Sequence, residues 1–168
     1  MRVYIFIVTL FIGAITMADN FFPENFKEFE FREGDLLASQ REDGKFAINK
    51  VLRVDKVTLE AGNSISIQGQ IFTAPEKDFL LIISMSYGES EFGSIEDAKE
   101  AAAKGTWSVQ MGHIPNRAPG AAHGQVLVGH QPVEEDELVG YKQWRERVGQ
   151  TTAGVFYMNS AHKGLVGD

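Results

Sequence analysis

Residues 107–147 carry the tightest local constraints in this chain. The tetrapeptide Gly-His-x-Pro occurs there twice, at 112–115 and 129–132, and three of the four histidines, His113, His123 and His130, fall in the same stretch. Proline has no amide hydrogen to donate and glycine accepts backbone angles other residues avoid, so each copy restricts how a regular element can continue. Trp107, Val109 and Met111 alternate into the first copy, and residues 125–130 lead into the second. Each copy is therefore expected at the end of a strand. Between them, 116–124 (NRAPGAAHG) has no periodicity and is rich in glycine, proline and alanine, which predicts a surface loop held by two strand ends.

A helix is expected over 133–148. Glu134, Glu135, Asp136 and Glu137 fall in its first turn and Arg145 and Arg147 in its last, the distribution that suits a helix dipole. Leu138, Tyr141, Trp144 and Val148 recur at helical spacing and give it one buried stripe. Upstream, Ser94 caps a second helix with Asp97 at the third position, alanines fill it, and Gly105 ends it.

The rest reads as strands. The pair Asp43-Gly44 between LLASQ and FAINKVLRV signals a hairpin with positive φ at both turn positions. In the second run Phe46, Ile48, Leu52 and Val54 share a face that only Lys50 interrupts. Residues 64–72 (SISIQGQIF) alternate with Ile65, Ile67 and Ile71 on one side, so both runs are expected to be half-buried with one wet face. The apolar run 79–87 (FLLIISMSY) is the expected central strand, and 153–158 supplies a last one. The phenylalanine-rich 20–31 is expected to pack over the core as an edge strand or arm. Strands with two helices interposed predict an α+β fold: a curved antiparallel sheet or partial barrel with two helices packed on it.

With 168 residues, the chain suits one domain, expected over 19–158, with a loose tail at 159–168. Residues 1–18 (MRVYIFIVTLFIGAITMA) have a positive start, a short apolar core and small residues before a cut after Ala18, the layout of an export signal. A periplasmic or secreted protein is the expectation; a true start at Met17 would make it cytoplasmic. The apolar run is shorter than the roughly 20 residues of a spanning helix, so no integral membrane segment is expected once the signal is removed. The charge of −7 disfavours nucleic acid and favours a basic protein partner. With no cysteine, thiolate metal sites and cysteine nucleophiles are excluded.

For chemistry, His113, His123 and His130 form a candidate zinc set, since three imidazoles leave a fourth position for an activated water. Their spacing matches no short metal signature, and neither a Gly-x-Ser-x-Gly elbow nor a phosphate-binding glycine loop is present. Ser84 and Ser86 read as strand alternation. For binding, Asn116, Arg117 and His123 on the expected loop, with Glu134, Glu135 and Asp136 beside it, compose a candidate surface for a protein partner.

The segments GDLLA (34–38), DGKFAINKVL (43–52) and GHQPVEEDELVGYKQW (129–144) together resemble small β-rich bacterial domains, some of which are immunity proteins encoded beside secreted toxins. The likeness spans residues 31–147 and carries no catalytic residue. The reading is an exported acidic binding protein of immunity-inhibitor type, with no cofactor. The alternatives are a zinc-dependent hydrolase built on the three histidines and a structural envelope protein.

Overall fold

The structure is a computed structural model and describes residues 21–89, 91–147 and 154–155. The expected export signal at 1–18, the expected tail at 159–168 and Val148 lie outside the described residues. Strands β1 (Asp35–Gln40), β2 (Phe46–Leu59), β5 (Asp78–Gly88), β6 (Val109–Arg117) and β7 (Gln125–His130) make a five-stranded sheet in the order β6-β5-β2-β1-β7. Every neighbouring pair in it is antiparallel. A smaller sheet is built from β3 (Ser64–Ile67), β4 (Gln70–Thr73) and β8 (Gly154–Val155), with β3 in the middle. Helices α1 (Ile95–Lys104), α2 (Ala118–Ala122) and α3 (Val139–Arg145) complete an α+β fold. Among the described residues no helix is long and apolar enough to cross a membrane.

The β1–β2 hairpin forms where Asp43-Gly44 predicts it, by a different turn. The Arg41 amide donates to the Lys45 carbonyl and the Gly44 amide to that of Arg41, which leaves a three-residue loop with positive φ only at Gly44 (+82°). Middle position in the sheet belongs to β2; β5 lies between β2 and β6. Because β2 is covered on both sides, Ala47 to Leu52 are all buried and the expected wet face is missing there. The run 64–72 is not one strand. Gln68 and Gly69 both take positive φ (51° and 75°), a two-residue hairpin turn that folds β4 back on β3. Ile65 and Ile67 are buried, whereas Ile71, beyond the turn, is 64% exposed.

Each face of the main sheet has its own cover. On one, Leu36, Ala38 and Ile48 meet Ala98, Ala101 and Ala102 of α1, and farther along Val57, Leu59, Leu80 and Ile82 meet β3 and Trp144 of α3. On the other, Leu37, Val51, Ile83, Met85 and Tyr87 pack against Ala118 and Ala121 of α2. The α1 boundaries follow the expected signals. Ser94 Oγ accepts from the Asp97 amide at 3.1 Å, and Gly105 closes the helix at φ +65°. Small residues let it lie close: a Cβ on Gly129 would sit 3.3 Å from the Ala102 methyl. The phenylalanine-rich segment forms an arm with one 3-10 turn, Glu24–Phe26. Phe22 of the arm is buried, and its amide donates to Asp78 at 2.7 Å.

Leu138 and Trp144 are buried and Tyr141 is half-buried, so the predicted stripe faces the sheet. Replacing Trp144 with alanine is expected to lower unfolding free energy by about 3–5 kcal/mol, the range for deleting a large buried aromatic. Denaturant titration measures this, and a loss below about 1 kcal/mol, the usual result at exposed positions, would place the ring in solvent.

Candidate functional site

Strand register gathers a polar row on the α1 and α3 face. Lys50 lies opposite Ser86, Arg53 opposite Ser84, and Asp55 opposite Ile82. Lys50 is only 2% exposed. Its ammonium donates to both oxygens of Glu137, at 2.7 and 2.9 Å, and to the Pro132 carbonyl at 2.8 Å. Glu137 also accepts from the Glu134 amide at 2.7 Å, so the acidic stretch is drawn into a 3-10 turn, Asp136–Leu138. The helix expected from 133 therefore begins at Val139. The ionic anchor on Lys50 overrides the dipole arrangement the acidic run implied.

His113 enters the row from β6. Register between β5 and β6 slips from Met85–Ile114 to Tyr87–Met111, a bulge that holds Gly112 and His113. The first Gly-His-x-Pro thus lies inside a strand, which continues through Pro115 because β6 is an edge strand where a missing amide hydrogen is tolerated. His113 Nε2 is 3.0 Å from Ser84 Oγ, and the ring sits 5.9 Å from Trp144 and 6.2 Å from Tyr141. Gly140 makes room for it, since a Cβ there would come within 2.6 Å of His113 Cβ. The Tyr141 hydroxyl donates to Asp55 at 3.1 Å. Burial pushes the His113 imidazole down to about 4, so it is neutral at pH 7. Burial also raises the Asp55 carboxyl, against the Tyr141 hydrogen bond and the Arg145 guanidinium. A neutral imidazole beside a serine hydroxyl is a base and a potential nucleophile, but Ser84 has no exposed surface and presents its oxygen to no substrate. What the row does is hold α3 on the sheet.

The three histidines do not assemble. His113 and His130 lie on the two edge strands, four strand spacings of about 4.8 Å apart along the sheet. His130 turns to Asp35, 3.0 Å away, and His123 is exposed at the end of α2. Among the described residues no three His, Cys, Asp or Glu side chains group closely enough to hold a metal ion.

The candidate binding surface divides in a similar way. Asn116 has no exposed surface; its amide donates to the Tyr87 hydroxyl at 3.0 Å, beneath α2. The expected surface loop is in fact a buried helical turn, because Ala118, Gly120 and Ala121 are small enough to pack on the sheet. Arg117 stacks 4.5 Å over Phe26. His123, Glu134, Glu135 and Asp136 are exposed, with Glu135 paired to Lys142, but β7 separates the histidine from the acidic group by about 20 Å of strand. Joining them is the outer side of β7. This strand pairs with β1 alone among the described residues, and it leaves Val126 41% and Leu127 51% exposed. No periodicity argument singles out an edge, so sequence reading passed over β7; its run QVLVGH, without acid, lysine or proline, was the available signal.

Glu137→Gln leaves a buried ammonium without its counter-ion and is expected to cost about 3–5 kcal/mol in chemical denaturation, while Lys50→Met with Glu137→Leu recovers most of it. If the single variant unfolds like the parent, Lys50 is not the anchor. For His113, a folded-state value of about 4 below the ordinary 6.5 means the unfolded chain takes up a proton first as pH falls. Its contribution is complete above pH 6.5 and lost on descent toward pH 4, while Asp55, raised from 3.8, acts in the opposite sense above that value. Melting temperature is expected to fall more steeply between pH 6.5 and 4 in the parent than in His113→Gln; parallel curves would refute the assignment. No protein-family model, curated protein or solved structure matches the chain.

Proposed function

We propose that the chain is an exported, non-enzymatic binding protein that takes an extended segment of a basic protein partner along the open side of β7. The single observation behind this reading is the bare edge: β7 has one partner strand among the described residues, and two exposed apolar side chains project from it. An unprotected edge strand offers a row of backbone donors and acceptors to any extended chain, and alternate side chains supply selectivity. The opposite edge is shielded by Pro115 and by α3 and β8 beside it. Exposed Glu134 and Asp136 near the far end of β7, in a chain of charge −7, favour a basic partner and speed its approach at low salt. An inhibitor of immunity type, on a sheet read as curved, is the specific form suggested by the resemblance. Export, carried by residues 1–18, expects a secreted product whose measured mass begins at Asp19.

Peptides selected from a displayed library against the purified chain are expected to protect the amides of 125–130 from hydrogen exchange. Leu127→Glu is expected to weaken them about tenfold, or 1.4 kcal/mol. Because Leu127 is exposed, the same change is expected to alter stability by no more than about 0.5 kcal/mol. Peptides that bind equally to the variant, or leave 125–130 exchanging freely, would refute the reading.

A further inference from the structure

The arm at 21–31 is fastened to the domain from two sides. The Lys27 ammonium lies 2.9 Å from Asp78, with both side chains almost fully buried. The Arg117 guanidinium at the start of α2 covers the Phe26 ring. Between arm and helix remains an open groove of about 490 Å³. Phe29, Ala118, Pro119 and Ala122 give it an apolar lining, and the exposed Asn25, Glu28 and Glu30 complete it. Neither glutamate has an ion-pair or hydrogen-bond partner among the described residues.

The groove adjoins β7 along the chain and opens on the sheet face that carries α2. Ala122 is followed by only two residues before Gln125 opens the strand. Leu127 pairs with Leu37, whose side chain packs in one cluster with Ala118 and Ala121, so Leu127 projects on the face that carries α2.

Two unpaired carboxylates beside an apolar lining select among side chains. An acidic occupant is repelled, and a purely aliphatic one strips water from the carboxylates and returns nothing. A long basic side chain suits both parts: its methylene stem lies on Phe29, Pro119 and the alanines while its cationic head stays at the glutamates. We propose that this groove receives an arginine or lysine side chain of the segment that pairs with β7, an inference that rests on the β7 reading and specifies the partner's chemistry.

The test is an NMR titration of the purified chain with N-acetyl-arginine amide, with N-acetyl-glutamine amide as the uncharged control. The arginine probe is expected to shift the amides of Phe29, Ala118 and Ala122. Glu28→Gln with Glu30→Gln, both at exposed positions, is expected to weaken it about tenfold, since each pairing is partly solvated. Equal responses to the two probes, shifts elsewhere, or an unchanged double variant would overturn the pocket. The β7-selected peptides separate this failure from that of the edge itself. If they protect 125–130 and bind the double variant as tightly as the parent, the edge stands and the pocket falls. If the arginine probe fills the groove and no peptide protects 125–130, the link between groove and edge is overturned.

Discussion

A lysine ammonium with almost no exposed surface, in the middle strand of the main sheet, governs how the last third of the chain is laid down. Taking such a charge out of water costs several kcal/mol, and the cost is recovered only where a counter-ion and further acceptors converge with good geometry. Lys50 finds them in Glu137 and the Pro132 carbonyl, neither of which belongs to the sheet. The segment after β7 is therefore obliged to cross the sheet at Lys50. That crossing delays the start of α3 until Val139 and sets Tyr141 and Trp144 around His113. Ser84 and His113, which on an open surface would invite a catalytic reading, become part of the same clasp.

Much of the frame was legible beforehand. The hairpin at Gly44, the strands at 35–40, 79–87 and 125–130, the cap and stop of α1 and the stripe of α3 all follow from local chemistry that tertiary contacts do not override. Misreadings arose where one pattern has two physical solutions. SISIQGQIF alternates equally well as one long strand or as two short ones around Gln68-Gly69, and only the left-handed turn decides. NRAPGAAHG looks like a loop because its residues are small, and small residues are also what a helix needs to lie flat on a sheet. Lys50 registered as an interruption of an apolar face. Its counter-ion lies 87 positions away, beyond any periodicity argument.

The two Gly-His-x-Pro copies show how little a short motif settles alone. In β6 the strand bulges at Gly112 and His113, turns the imidazole in toward Ser84 and runs on through Pro115. In β7 the register slips just before Gly129, the strand ends at His130, and that ring pairs with Asp35 instead. Each bulge re-aims a side chain, but what the side chain meets is fixed by neighbouring strands. The histidines are near in sequence and distant in the fold because β5, β2 and β1 lie between them.

The unequal edges of the sheet also bear on self-association. A sheet with two bare edges is a monomer that can polymerise, each added copy leaving a fresh edge for the next. In the main sheet β6 contains Pro115 and is flanked by α3 and β8, so among the described residues β7 is the edge of that sheet left open to a like strand. Pairing between two copies through β7 uses up the open edge of both, and growth terminates at two. Within the main sheet the chain thus keeps one adhesive strand, and the opposite edge serves as a terminator.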